Sequence, residues 1–169
     1  MPLQGAPACY NGEQGCVSAV RLTANDGDSV GAVWYTSTLR VDLGFETSFS
    51  FMMDEPSRHC KTTVVFEERC MPRGGDGLAF VIHNNGMAAA LGAGGEHMGY
   101  GGIDNSIAIE FDTWYNAERG DIYQNHLAIH TMGTEQNSPG APARLASSTD
   151  IPDFSDGNRH TASPLSSCA

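Results

Sequence analysis

Two stretches of the chain alternate apolar and polar residues with the two-residue period of a half-buried strand. In SIAIEFDTW (106–114), Ile107, Ile109 and Phe111 fall on one parity and Ala108, Glu110 and Asp112 on the other. HLAIHTM (126–132) repeats the pattern, setting Leu127 and Ile129 against His126, Ala128 and His130. Successive strand side chains point to opposite faces, so both acids share one face of their strand and both histidines share one face of theirs. Similar runs occur at VSAVRLT (17–23), GAVWYT (31–36), FETSFSFMM (45–53), TTVVFEE (62–68) and GLAFVIH (77–83). Gly, Asn, Asp and Pro separate them, and no long segment has helical periodicity, which predicts an all-β sandwich of antiparallel sheets. AAALGAGG (88–95) reads as a mobile loop because of its glycines. NSPGAPARLASS (137–148) reads as turn and loop without a functional feature.

The chain has 169 residues, enough for one domain with a sizeable core. Its 20 acidic residues outnumber 9 basic ones, for a formal net charge of −11, which argues against nucleic acid or an anionic membrane as partner. No apolar run is long enough to span a bilayer, and MPLQGAPACYNG lacks the pattern of a signal peptide. The five cysteines are Cys9, Cys16, Cys60, Cys70 and Cys168. Their spacing does not match a structural zinc site. It fits either free or buried thiols or two local disulfides formed in an oxidising compartment, and a Cys60–Cys70 bridge with Cys168 left unpaired within the chain is expected. Asn137-Ser138-Pro139 is not a glycosylation sequon, so extracellular or secretory location is an inference from the cysteines.

Between the two alternating strands, residues 115–125 form a long connection for a hairpin, and long ordered loops are disproportionately functional. An antiparallel pairing would bring Glu110, Asp112, Asp121 and His126 together, with Asn116 and backbone carbonyls nearby. Acids this crowded repel one another unless water or a cation separates them. A hard cation such as calcium takes oxygens only, here from Asp112, Asp121, the Asn116 amide and a carbonyl. Imidazole with carboxylates suits a transition ion such as manganese or zinc. A solvated acidic loop is the bland alternative. An EF-hand is excluded, because Trp114 would stand at its third position and Ala117 where glycine is required.

These residues resemble the metal-binding signature of the legume-type (L-type) lectins: Glu-x-Asp-x-aromatic-x-Asn, then Asp and His each five residues on. Glu110, Asp112, Trp114, Asn116, Asp121 and His126 fill every position. GFETSFSF (44–51), GDGLAFVIH (75–83) and GYGGIDNSIAIEFDTW (99–114) resemble successive strands of the same family, and the likeness runs over residues 17–161. It implies a concanavalin-like jelly-roll β-sandwich that binds carbohydrate without catalysis. It further implies manganese on Glu110, Asp112, Asp121 and His126, and calcium on Asp112, the Trp114 carbonyl, Asn116 and Asp121. The sugar site carried over consists of Asp76, preceded by a cis peptide, together with Asn116, the Trp114 ring and a backbone N–H near Gly95 and Glu96. Glu96 stands where the family usually has glycine. A carboxylate acceptor, an amide donor and an aromatic plate suit a polyol with one apolar face. His97 is expected to be a solvated loop residue, and His59, His83, His130 and His160 carry no assigned role.

The resemblance also sets expectations at the ends. The family's sandwich usually needs about 200–250 residues, no apolar strand precedes LQGA, and TASPLSSCA after SDGNRH lacks a strand pattern. A partial domain at 17–161 is therefore expected, with an N-terminal segment (1–16) and an unstructured tail (162–169). The GYGGIDNS style is similar to lectin-like modules of microbes and unicellular eukaryotes. A cargo receptor of the secretory pathway shares the fold but would need a membrane anchor. Jelly-roll glycan hydrolases carry Glu-x-Asp-x-x-Glu, whereas Tyr115 stands at the position nearest their second catalytic acid. The expected partners are glycans or glycoproteins, with self-association through sheet edges as a further option.

Overall fold

The computed structural model describes residues 19–25, 27–54, 58–62, 68–72, 74–86 and 91–163. Strands β1 (Phe49–Phe51), β2 (Arg58–Thr62), β3 (Glu68–Pro72), β4 (Gly77–His83), β5 (Ser106–Asp112), β6 (His126–Thr131), β7 (Arg144–Ser148) and β8 (His160–Ala162) lie in these segments. They form a four-stranded sheet in the order β4-β5-β6-β7 and two two-stranded sheets, β1-β8 and β2-β3, all antiparallel. The all-β expectation holds.

The two alternating runs pair as expected: Glu110 lies opposite Ala128, and Asp112 opposite His126. The apolar face of this sheet meets β1 and β8 through a cluster of rings. Phe51 and Phe111 have centroids 4.8 Å apart, Phe49 stacks on Phe80 at 5.2 Å, and Phe111 meets Phe154 edge-on at 5.4 Å. The opposite face, which carries Glu110, Asp112, His126 and His130, is the more deeply buried of the two. Those four residues and Ala108 and Ala128 are buried, whereas Ile107, Ile109, Leu127 and Ile129 are only half-buried.

Residues 91–103 cover this polar face. Tyr100 and Ile103 pack on Ala108, with Ala79, Val81 and Met98 around them. The expected mobile loop, in its described part, instead folds back on itself: Gly92 N–H donates to Gly99 at 2.7 Å and Gly99 N–H to Ala93 at 2.8 Å. Gly92 permits this, since a Cβ there would stand 2.6 Å from the Gly101 carbonyl oxygen. Asn137, in the stretch that seemed functionless, fastens the cover. It is buried, and its side-chain amide donates to the Ser106 hydroxyl at 3.1 Å and to the His130 carbonyl at 3.2 Å. Its backbone exchanges hydrogen bonds with Gly102 and Ile103.

Other strand expectations are corrected. Residues 31–36 have strand-like composition but belong to no strand. Trp34 turns inward, edge-on to His83 at 4.6 Å, while Val33 and Tyr35 are exposed. Nor do residues 19–23 form a named strand, and positions 17 and 18 lie outside the described residues. The run 45–53 shortens to β1. The run 62–68 keeps only its ends, Thr62 in β2 and Glu68 in β3, which pair with each other; its centre lies outside the described residues. Conversely, β7 forms inside the stretch read as loop, because β6 supplies a ladder to pair with. β8 extends the chain as strand through Ala162, two residues past the histidine at which the strand pattern seemed to stop.

Asn137→Ala should leave the Ser106 and His130 backbone acceptors and the Ser106 hydroxyl without their buried donor. A loss of about 2–3 kcal/mol in urea unfolding is expected, with no change in the slope of the transition.

Candidate functional site

The acid–imidazole group sits where β5 and β6 begin to diverge into their connecting loop. Glu110, Asp112 and His126 each offer a ligand atom, and these atoms lie within 4.8 Å of one another. Asp121 closes on the group from the loop, its Oδ1 lying 3.9 Å from His126 Nε2. The other Asp121 oxygen accepts the Asn116 N–H at 2.7 Å, and Asp112 Oδ1 accepts the Trp114 N–H at 2.7 Å. Backbone bonds from Arg119 and Asp121 to the Asn116 carbonyl shape the turn at Ala117–Arg119, which ends on Gly120 at φ 76°. All six signature residues therefore fall in one cluster of strand end and loop.

Its electrostatics call for positive charge. Burial pushes the Asp112 carboxyl up to about 8; the Trp114 amide opposes the rise, and Asp121, Glu110 and Asp76 add to it. His126 is fully buried, and neither of its ring nitrogens has a hydrogen-bond partner among the described residues. A buried imidazole without partners beside crowded carboxylates is a donor set that fits a divalent cation. Burial and the Glu110 carboxylate raise the Tyr100 phenol above its ordinary range, so it stays a donor.

The second half of the site lies at the start of β4. The Gly75–Asp76 peptide is cis, as the resemblance implied. Thr113 fixes this turn through its N–H to the Asp76 carbonyl at 2.9 Å and its hydroxyl to the Gly74 carbonyl at 3.1 Å. Glycine is required on both sides of Asp76. A Cβ on Gly75 would stand 2.9 Å from the Trp114 ring, and one on Gly77 2.3 Å from the Phe111 carbonyl oxygen. The Asp76 carboxylate faces Gly95, where a Cβ would lie 3.9 Å from Oδ2. Asp76, Gly95 and Trp114 thus converge around one turn, and burial followed by the Glu96 charge raises the Asp76 pKa.

A family model for the legume lectin domain matches residues 8–148. The chain belongs to the legume lectin domain family. This is a carbohydrate-binding, non-catalytic family, and in this lectin domain the group Glu110, Asp112 and His126 can hold a metal ion. No helix among the described residues is long and apolar enough to cross a membrane.

Several residues of this candidate site were not anticipated. Arg119, the lone base of the metal loop, forms an ion pair with Glu96, so the Glu96 carboxylate is already engaged. His97 is not a solvated loop residue. Its side chain is about three-quarters buried, its ring fills the space left by Gly101, and its Nε2 lies 3.5 Å from Arg119. Tyr100 and His130 both contact Glu110, at 2.5 Å and 3.0 Å. The signal for His130 was present in the alternation, which puts it on the face of His126. Tyr100 and the Glu96–Arg119 pair join segments distant in sequence and left no local pattern.

The Arg119 hydrogen bond lowers the Glu96 pKa. The folded-state value is depressed, so the stabilisation is present above the ordinary glutamate range and lost as pH falls through the depressed value. Both side chains are partly solvated, and a Glu96→Gln/Arg119→Met double-mutant cycle should return a coupling of at most about 1 kcal/mol at neutral pH and low salt. The coupling should shrink in high salt and vanish in acid.

Proposed function

We propose that this domain binds glycans or glycoproteins through a pocket organised by calcium and a transition ion, manganese by preference. The observation that carries the reading is the convergence of Asp76, Gly95 and Trp114 beside a buried acid–imidazole group that can hold a metal ion. The oxygen-only set of Asp112, the Trp114 carbonyl, Asn116 and Asp121 would hold calcium. Glu110, Asp112, Asp121 and His126 would hold the transition ion. The cations neutralise the acids and fix the loop from Trp114 to Asp121. Asp76 then accepts hydrogen bonds from sugar hydroxyls, the Asn116 amide donates one, and the Trp114 ring covers the apolar face of the pyranose. The Gly95–Glu96 backbone supplies a further donor. The Glu96 side chain serves instead as a brace to Arg119.

A secretory or extracellular setting is part of the same reading, supported by the register of β2 and β3. Cys60 lies directly opposite Cys70 in that antiparallel pair. Cα atoms so placed are about 4.5–5.5 Å apart, within the span a disulfide bridges. A bridge there would close a short local loop and contribute about 2–3 kcal/mol in the chain-entropy description.

Three outcomes test the reading. Asp76→Ala should abolish binding on a glycan array, because hydrogen bonds to a charged acceptor contribute about 1.5–3 kcal/mol each. It should leave calcium and manganese uptake intact, since Asp76 is not a ligand; unchanged binding to every glycan would sink the assignment. Chelation should lower the melting temperature of the parent protein and abolish glycan binding, both reversibly, because an ion bound only to the native state stabilises it. Mass mapping of a non-reduced digest should recover Cys60 and Cys70 in one linked peptide pair; both thiols free after oxidative refolding would reject the bridge.

A further inference from the structure

Glu110 is nearly sealed from solvent, at 2% exposure, and residues outside the metal signature engage both of its carboxylate oxygens. The Tyr100 hydroxyl donates to Oε1 at 2.5 Å. His130 Nε2 stands 3.0 Å from Oε2, a close polar contact rather than an aligned hydrogen bond. Tyr100 comes from the covering segment and is fully buried, and His130, at 2% exposure, comes from β6 opposite Ala108. His130 Nδ1 has no hydrogen-bond partner among the described residues.

His130 lies further along the ladder than the group Glu110, Asp112 and His126: it stands opposite Ala108, whereas His126 stands opposite Asp112. The ligand atoms of that group lie within 4.8 Å of one another, and His130 is not among them. It stands on the far side of Glu110. A carboxylate has about four lone-pair directions, so two contacts from behind leave others free for a cation. Buried residues that orient a metal-binding carboxylate raise affinity by removing the cost of positioning it when the ion arrives.

We propose that Tyr100 and His130 form a buried clamp that holds the Glu110 carboxylate toward the transition-metal position and thereby sets the affinity of that position. Calcium would not use Glu110 but would share Asp112 and Asp121 with the transition ion, so the clamp reaches calcium only indirectly, through those two carboxylates. The inference rests on the reading of Glu110 as a transition-metal ligand.

The test is manganese titration of the full chain against a competing fluorescent chelator, with calcium affinity measured on the same samples. Tyr100→Phe keeps the ring and its packing but removes the donor, and His130→Leu removes the imidazole. Each should weaken manganese by about 10–100-fold, with a distinctly smaller loss for calcium titrated alone. His130→Gln, which keeps an amide donor, should stay close to the parent. Parent-like manganese affinity in Tyr100→Phe and His130→Leu would overturn the clamp, and so would equal loss of both ions, which marks a general packing role. A parent protein that takes up calcium but no manganese would remove the reading of Glu110 itself.

Discussion

The arrangement depends on keeping a carboxylate and imidazole face in the interior of a sheet. Buried charge is costly unless it is paired, hydrogen-bonded or bound to metal. Glu110 and Asp112 meet this condition through protein partners, and His126 does not. Glu110 has Tyr100 and His130, Asp112 has the Trp114 amide, and His126 has no hydrogen-bond partner among the described residues. The cover formed by residues 91–103 makes the arrangement strict, since without it water would solvate these groups. Asn137 therefore matters to the site although it lies far from it in sequence: it ties the cover to the ends of β5 and β6.

The two halves of the site are joined mechanically. Thr113 connects the end of β5 to the Asp76 turn, and the Trp114 ring rests on Gly75. Glu96 and Arg119 connect the covering segment to the metal loop. Whatever fixes the loop from Trp114 to Arg119 thus also fixes the walls around Asp76. A cation held in that loop would therefore also preorganise the polar groups around Asp76.

Glu96 modifies that scheme. An added carboxylate beside Asp76 would raise the negative charge at the pocket mouth, and it does contribute to the raised Asp76 pKa. Arg119 neutralises much of this charge locally and turns the substitution into a brace. His97 fits beneath because Gly101 has no side chain. The departure from the usual glycine is thus accommodated by partners in two other segments.

The alternation of residues 106–112 and 126–131 was enough to identify both strands, their facing and the shared acid–imidazole surface, because period two is a local property of the backbone. The signature spacing likewise pointed to its six residues, since all lie within one strand–loop–strand unit. Local composition failed where pairing decides. GAVWYT has the residues of a strand but does not form one, whereas ARLASS becomes β7 because β6 offers it a ladder. Which face is buried was not legible either, for the apolar side is the more open one. Burial is set by what packs on a face, here the segment held by Asn137. Tyr100 and the Glu96–Arg119 pair belong to the same class: their chemistry is written in the sequence, but only the tertiary fold brings distant segments within hydrogen-bonding reach.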